Sequence, residues 1–509
     1  MTSTPGQTSA RRIAVAAPHP AALEAASEAI AAGGNAIDAA LAAAAMLTVV
    51  YPHQCAVGGD LVALVRRPGL GVTAVVSVGA APADVDVTAL AREDRMPKQG
   101  AQTVTVPGVV AGWRALDRLG SRLGLAAPFR GAARRAADGF EVSAGLARAI
   151  AIRTDELLAD EGMRGVFGTA DGLAVEGDRI VQPALAATLE QLAVDPDAMY
   201  GGSIGASIAA RLRILGGAHS EADFAGHEAE LLDPVEASTG GVRWWVAPPP
   251  TQGVVLLGIL PEALGGDVAE LVTAVHDAAL VRQSQLGDPR GGPIDVDAML
   301  APRDHEQHGS LPRAGRALGD TVAVTAADSD GTVVTLIQSV YQLFGSGILD
   351  PATGVVLHNR GSAFSTDPAH PGRIGPGLRP PHTLLPVIAE TDDLVLGVGC
   401  QGGSAQPWIL AQVVAELLDP SVEPTATLGR SRFVIGARDL GYETMTLVAE
   451  PGLPGAEAAG RDRGLPVVTT EGRIDDAGHV QAVRLHADGR LDAASDPRAD
   501  GRAVVFDAL

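Results

Sequence analysis

Long Ala-rich apolar stretches alternate along the chain with short strand-like runs bounded by Gly and Pro. His19 to Ala32 reads as a helix closed by Gly33-Gly34 in left-handed geometry. Asn35 then caps a second helix running to about Val49. Its polar positions are Asn35, Asp38 and Thr48, so the pattern predicts a helix buried nearly all round, with Asp38 satisfying amide groups at its start. Leu61 to Arg66 and Val72 to Val78 read as two strands of a hairpin turned at Pro68-Gly69. Thr103 to Val106 alternates as a further strand, and Val109 to Leu119 follows as a helix whose Gly108 and Gly112 allow close packing on a sheet. From Ala126 to Glu230 the period is mostly helical. A short strand at Trp244-Trp245-Val246 leads to helices at Val254 to Leu264 and Val268 to Leu286.

The run from Arg303 to Gly319 breaks this order, with Pro312, several Gly and no apolar periodicity. It meets a strand at Thr321 to Ala327, a turn at Asp328-Ser329-Asp330-Gly331 and a second strand at Thr332 to Gln338. Later strands are expected at Gly354 to His358, Leu384 to Ala389 and Leu394 to Gly397. A helix from Gln406 to about Leu418 and a tail of short strands and turns complete the chain. Helices do not follow each strand, and tight hairpins are present. The class implied is α+β, antiparallel sheets covered by helices, rather than a doubly wound parallel sheet.

Composition narrows the function classes. Apolar residues make up 46% of the 509 and aromatics only 3%, so a large core is built from Ala, Val, Leu and Ile. A net charge of −22 argues against nucleic acid or anionic membrane as a partner. Two cysteines, Cys55 and Cys400, exclude a disulfide framework and a CxxC site. Met1 to Ala10 is polar and reads as disordered, and Pro18 cuts short the apolar run Ile13 to Ala17 before it reaches signal-peptide length. With no window of 18 apolar residues, the expectation is a soluble cytoplasmic protein.

Gly319-Asp320-Thr321 is where the chemistry concentrates. Its plain reading is a loop entering a β-hairpin. Its chemical reading is a precursor cut between Asp320 and Thr321, with the Thr321 hydroxyl as nucleophile and its freed amine as base. An α-amine has an ordinary pKa of about 8, close enough to neutral for that work.

Several separate stretches resemble the gamma-glutamyltransferase (glutathione hydrolase) family, above all its divergent cytoplasmic-type members. They are Gly33-Gly34-Asn35-Ala36-Ile37-Asp38-Ala39-Ala40, Gly58-Gly59-Asp60, Val106-Pro107-Gly108-Val109-Val110-Ala111-Gly112-Trp113, Pro248-Pro249-Pro250-Thr251-Gln252-Gly253 and Gly319-Asp320-Thr321. Phe344-Gly345-Ser346-Gly347, Leu357-His358-Asn359-Arg360-Gly361, Arg379-Pro380-Pro381-His382-Thr383, Gly402-Gly403-Ser404-Ala405-Gln406-Pro407 and Ser495-Asp496-Pro497-Arg498 continue the set in order. The resemblance implies an N-terminal-nucleophile αββα sandwich, two antiparallel sheets between helical layers. It implies autocleavage into a large fragment, Met1 to Asp320, and a small one, Thr321 to Leu509, that stay associated. The first would fold over residues 10–302, with 303–320 as a mobile segment before the cut.

By the same resemblance Thr321 matches the nucleophile, Ser339 a Thr whose hydroxyl supports it, and Gly402 and Gly403 the pair whose amides form the oxyanion hole. No cofactor or metal is implied. The partners are a small-molecule amide, and water or an amine as acceptor. Substrate positions depart from the family. Val78 stands where an Arg holds the glutamyl α-carboxylate, Ala363 where an Asp holds the α-amine, and Tyr341 in place of an Asn. His382 and Thr383 replace two adjacent serines. A pocket without those charged partners would desolvate an amino-acid head group at a cost of several kcal/mol. Arg360, replacing a neutral amide, either meets a substrate carboxylate or braces its loop through backbone carbonyls. His382 is either a substrate contact or a packed loop residue.

Three functions follow. The first is a threonine amidohydrolase or acyltransferase acting on a γ-glutamyl-like amide through an acyl-enzyme. The second keeps that chemistry on a non-glutamyl amide, oxamate-like or as in cephalosporin acylases. The third is a non-catalytic scaffold, against which the retained Thr321, Ser339 and Gly pair speak.

Overall fold

The computed structural model describes residues 11–300, 320–437 and 440–508. The disordered N-terminus expected at Met1 to Ala10 and the segment expected to be cuttable at 303–319 lie outside them.

Two antiparallel sheets dominate. In chain order their strands are β1 (Arg11–Ala17), β2 (Asp60–Arg67), β3 (Gly71–Ser77), β4 (Glu230–Leu232), β5 (Val235–Thr239), β6 (Val242–Val246) and β7 (Asp320–Asp328). Then come β8 (Val333–Tyr341), β9 (Val387–Glu390), β10 (Leu394–Cys400), β11 (Val480–His486), β12 (Leu491–Ser495) and β13 (Arg502–Ala508). The seven-stranded sheet runs β13-β1-β7-β8-β2-β3-β4 and the six-stranded sheet β12-β11-β10-β9-β6-β5. Their period-2 alternation separates three cores. On β7, Val322, Val324 and Ala326 face a helix-side core, while Ala323 and Ala327 face the layer between the sheets. Glycines let the sheets approach closely in that layer. A Cβ at Gly397 would lie 2.8 Å from the Val333 side chain.

Helices cover both outer faces. α1 (Pro20–Ala31), α2 (Ala36–Val50) and α3 (Val109–Arg118) pack on the first sheet, with α4 (Ala126–Asp138) over α2 and α5 (Pro183–Val194) over α4. The second is covered by α6 (Gly253–Leu257), α7 (Leu260–Gly265), α8 (Val268–Gln285), α9 (Gln406–Ala411) and α10 (Val414–Leu417). The result is the αββα order. Every residue of α2 is buried, and Asn35 with Asp38 forms a capping box at its start. Asp38 also accepts the backbone N–H of Leu123 at 2.9 Å and the Ser121 hydroxyl at 2.7 Å, so it serves amide groups as the pattern predicts.

Four local expectations change. Ile13 to Ala17, read as a short apolar run without an element, belongs to β1, which pairs with β7 on one side and β13 on the other. Burial on both faces removes the alternation that would have marked it. Thr103 to Val106 is no strand. A 3-10 turn, Ala101–Thr103, precedes an extended stretch there. Its polar positions are satisfied by side chains instead, Thr103 to the Gly100 carbonyl at 2.7 Å and Thr105 beside His358 at 3.3 Å. The helix expected over Val254 to Leu264 divides into α6 and α7, where Pro261 in the first turn of α7 lacks the N–H that would continue α6. The helix expected from Gln406 divides into α9 and α10, and Gln412 at the break bonds the Phe433 carbonyl at 2.9 Å.

Strands before and after Thr321 are interleaved in both sheets, since β7 pairs with β1 and β6 pairs with β9. Among the described residues no helix is long and apolar enough to cross a membrane.

Candidate active site

A slip in one ladder builds the centre. β7 and β8 pair in step from Ala327↔Val333 to Val322↔Gln338, after which Asp320 opposes Tyr341. Thr321 therefore faces an extra residue on β8, the geometry of a β-bulge. Its hydroxyl donates to the Ser339 hydroxyl at 3.1 Å, and Ser339 Oγ also accepts the Tyr341 N–H at 2.7 Å. Tyr341 takes φ +78, a left-handed conformation that costs a non-glycine residue on the order of 1–3 kcal/mol. Neighbouring loops hold it there: Val340 N–H bonds the Gln54 carbonyl at 3.1 Å, and Gln342 N–H bonds Asn359 Oδ1 at 3.2 Å.

Tyr341 leads to Arg360. The guanidinium lies over the Tyr341 ring at 3.6 Å, donates to the Thr383 hydroxyl at 3.0 Å and to the Pro381 carbonyl at 2.6 Å. Arg360 is 1% exposed, and burial lowers its pKa to about 10, leaving it cationic at neutral pH. Among the described residues it has no carboxylate within ion-pair distance.

Gly402 and Gly403 follow β10, with φ +144 and +52. A side chain at Gly402 would run into Ile409, so both conformation and space require glycine. The Gly402 carbonyl accepts the Ala405 N–H at 2.9 Å. The Gly403 carbonyl accepts Gln252 Nε2 at 2.9 Å, and the same nitrogen donates to the Thr383 carbonyl at 2.7 Å. Thr321, Ser339, Tyr341, Arg360, Thr383 and Gly403 thus form one linked series.

His382 stands outside it. Its Nε2 lies 3.2 Å from Asp60 Oδ2 and its Nδ1 accepts the Leu384 N–H at 3.3 Å, so no ring nitrogen is left for a substrate. Of its two readings the packed loop residue is the one the geometry supports. Burial lowers its pKa to about 4, which fixes the neutral ring with the proton on Nε2. His358 Nδ1 sits 3.3 Å from the same carboxylate oxygen, out of line for a hydrogen bond, and its Nε2 faces the Thr105 carbonyl at 2.8 Å. Burial alone would raise the Asp60 pKa, but the two imidazoles outweigh it and hold the carboxyl well below the usual range.

A cavity of about 1100 Å³ opens beside the series, lined by Tyr341, Gln342, Arg360, Ala363, Ser404 and Arg282 among others. Val78 is buried in the layer between the sheets, away from it. Among the described residues no group of three or more His, Cys, Asp or Glu could hold a metal ion.

Two antiparallel sheets between helical layers, with a hydroxyl residue opening a central strand, define the class of the N-terminal-nucleophile hydrolases. A solved structure of the same order is a cephalosporin acylase from Bacillus halodurans, with a TM-score of 0.85 at 27% identity over 99% of this chain and 98% of that one. The gamma-glutamyltranspeptidase model matches residues 22–506, and the chain belongs to that family of hydrolases and transferases. Among curated relatives it is 34% identical to the oxamate amidohydrolase proenzyme of Klebsiella pneumoniae, over 96% of this chain and 98% of the relative. It is 31% identical to the glutathione hydrolase-like YwrD proenzyme of Bacillus subtilis, over 96% and 98%.

Sequence reasoning passed over Asp60, His358 and Gln252 as functional groups. All three sit inside motifs that carry the resemblance. For Asp60 and Gln252 the available signal was a polar residue next to a Gly in a stretch otherwise built for turning the chain; His358 stands between Leu357 and Asn359 and had no such signal.

Proposed function

We propose that this protein is an autoprocessed threonine amidohydrolase whose acyl substrate carries a carboxylate, as oxamate does. Cleavage between Asp320 and Thr321 converts the Thr321 nitrogen from a peptide amide to an amine. The Thr321 hydroxyl attacks the substrate carbonyl and passes its proton to that amine, while Ser339 orients the hydroxyl. The amide groups of Gly402 and Gly403 stabilise the tetrahedral oxyanion. Collapse expels the leaving amine, which takes the proton, and leaves an acyl ester on Thr321. Water attacks the ester and releases the acid; an amine in its place completes a transfer. The fragments 1–320 and 321–509 stay together because their strands alternate in both sheets. The proenzyme names of the relatives support the cut.

The observation that carries the substrate class is Arg360, a buried cation beside the nucleophile's strand that lines the cavity and, among the described residues, has no carboxylate within ion-pair distance. A substrate carboxylate supplies the missing counter-charge through a charge-assisted pair. The departures at Val78 and Ala363 support the loss of an amino-acid head group. A cavity of about 1100 Å³ far exceeds a short acid, which supports a bulky leaving amine and a second reading on cephalosporin-like amides. The two free, buried cysteines support a reducing, cytoplasmic setting.

The test is acid release from oxamate, glutaryl-p-nitroanilide, a glutaryl cephalosporin nucleus and γ-glutamyl-p-nitroanilide. Turnover of oxamate or a glutaryl amide well above the γ-glutamyl compound is expected. A strong preference for the α-amino form would refute the rebuilt pocket.

A further inference from the structure

Gln252 lies between the substrate cavity and the glycine pair, and it is fully buried. Its amide uses both Nε2 donors and accepts at Oε1. Nε2 donates to the Gly403 carbonyl at 2.9 Å and to the Thr383 carbonyl at 2.7 Å, and Oε1 accepts Arg282 Nε at 2.6 Å. These partners fix which end of the amide is nitrogen. A flipped amide would set oxygen against two carbonyls and NH2 against a guanidinium.

Its position follows from the fold. Pro248, Pro249 and Pro250 end β6 and deliver Gln252 to the cap of α6, beneath the turn that leaves β10. Arg282 comes from the last turn of α8 and lines the cavity. The Gly402-Gly403 backbone has no side chain to restrain it, so its peptide planes are held from outside. Ala405 holds the Gly402 carbonyl, and the Gln406 N–H and Gln252 together hold the Gly403 carbonyl. The first plane carries the Gly403 N–H and the second follows it, so the turn is held on both sides of Gly403.

We infer that Gln252 is a positioning residue that locks the oxyanion-binding glycines to the Thr383 segment leading into β9 and, through Arg282, to the cavity wall. The inference rests on the proposed roles of Gly402 and Gly403. Preorganised dipoles stabilise a transition state because they need no reorganisation as charge develops. A glycine turn released from its clamp loses that benefit while the ground-state pocket keeps its shape. The loss therefore falls on kcat and on binding of tetrahedral anions, not on binding of the planar acid product.

Gln252→Leu and Gln252→Glu separate this role from packing. Leucine removes all three bonds, whereas glutamate keeps the shape and the Arg282 contact but replaces the donor with an acceptor facing two carbonyls. Each variant is compared with wild type for kcat and KM on the fastest amide of the panel. The same comparison covers affinity for a phenylboronic acid, for the product acid, and melting temperature. Boron takes the Thr321 oxygen as a fourth ligand and becomes a tetrahedral anion, so it reads the oxyanion loop even if no panel amide is turned over. That last outcome would sink the proposed substrate reading and leave the clamp still measured.

Expected are a fall in kcat of about 100-fold with KM changed by less than about 3-fold, and a parallel fall in boronic acid affinity. Product acid binding stays unchanged, and glutamate is no better than leucine. A kcat and boronic acid affinity near wild type in either variant would overturn the inference. So would equal losses for boronic acid and product, which describe general loosening. If both variants fail to fold, Arg282→Gln takes their place, since it frees the Gln252 carbonyl while leaving both donors. A fall of about 10-fold in kcat with unchanged product binding is then expected, and no change overturns the inference.

Discussion

The hydroxyl of Thr321 sits 3.1 Å from that of Ser339, where the in-step register of β7 and β8 opposes the two residues just before the ladder slips by one. Continued in step, the ladder opposes Thr321 and Ser339, so the extra residue on β8 falls after Ser339, and Tyr341 beyond it turns into left-handed geometry. Thr321→Ala is expected to remain a single chain of 51.7 kDa without activity, and Thr321→Ser to be cut. Intact-mass measurement of both after long incubation decides. Two fragments from the alanine variant would refute cleavage driven by this hydroxyl.

Ser339→Ala removes the hydroxyl that accepts the Thr321 O–H and also the Tyr341 N–H. A buried N–H left unpaired costs about 1–3 kcal/mol, which here falls on the bulge itself. The expected outcome is slower cleavage and a kcat lower by roughly 10- to 100-fold, in the range of a misplaced catalytic group. Ser339→Thr, which keeps the hydroxyl, restores most of the rate. Steady-state kinetics on the processed fraction checks it, and an unchanged kcat in the alanine variant would remove Ser339 from the mechanism.

Arg360→Gln separates the substrate role of the guanidinium from its bracing role. Both are visible, since the group bonds Pro381 and Thr383 while lining the cavity. Loss of a charge-assisted pair costs roughly 10- to 100-fold in KM for carboxylate-bearing amides, whereas amides with a neutral acyl group are affected little. Arg360→Lys keeps the charge but not the planar fork, so it recovers only part. Equal KM changes for charged and neutral acyl groups would assign Arg360 to bracing alone.

How far these features could be read beforehand depends on whether their cause is local. The α2 cap at Asn35 and the β7–β8 turn at Asp328 are short-range devices, and their residue types announce them. Thr321 was legible because a run without periodicity meets a strand there. β1 was not, because a strand buried on both faces shows no alternation. His382 and Asp60 meet across 322 positions of sequence, and nothing near either residue predicts the contact. Gln252 was equally hidden, since its three hydrogen-bond partners come from separate parts of the chain.

Three buried histidines and the half-buried His227 make stability depend on acidity in a definite direction. Burial is the first cause in each case, lowering His53 to about 3 and His219, His227 and His382 to about 4 from an ordinary 6.5. Between pH 6.5 and about 4 the unfolded chain holds these protons and the native chain does not, so unfolding takes protons up and stability falls as pH falls. Asp60 acts in the same sense at lower pH, because its carboxyl is held well below the usual range and protonation would remove its contact with His358 and His382. Near pH 5 these rings account for an uptake of about three to four protons on unfolding. The melting temperature is therefore expected to drop steeply from pH 6.5 to 4. His382→Gln keeps a donor toward Asp60, so it should reduce the uptake by about one proton and flatten the slope. Calorimetry across that window, on both proteins, measures the uptake directly; a melting temperature that stays level from pH 6.5 to 4 would show that the rings are protonated in the native fold.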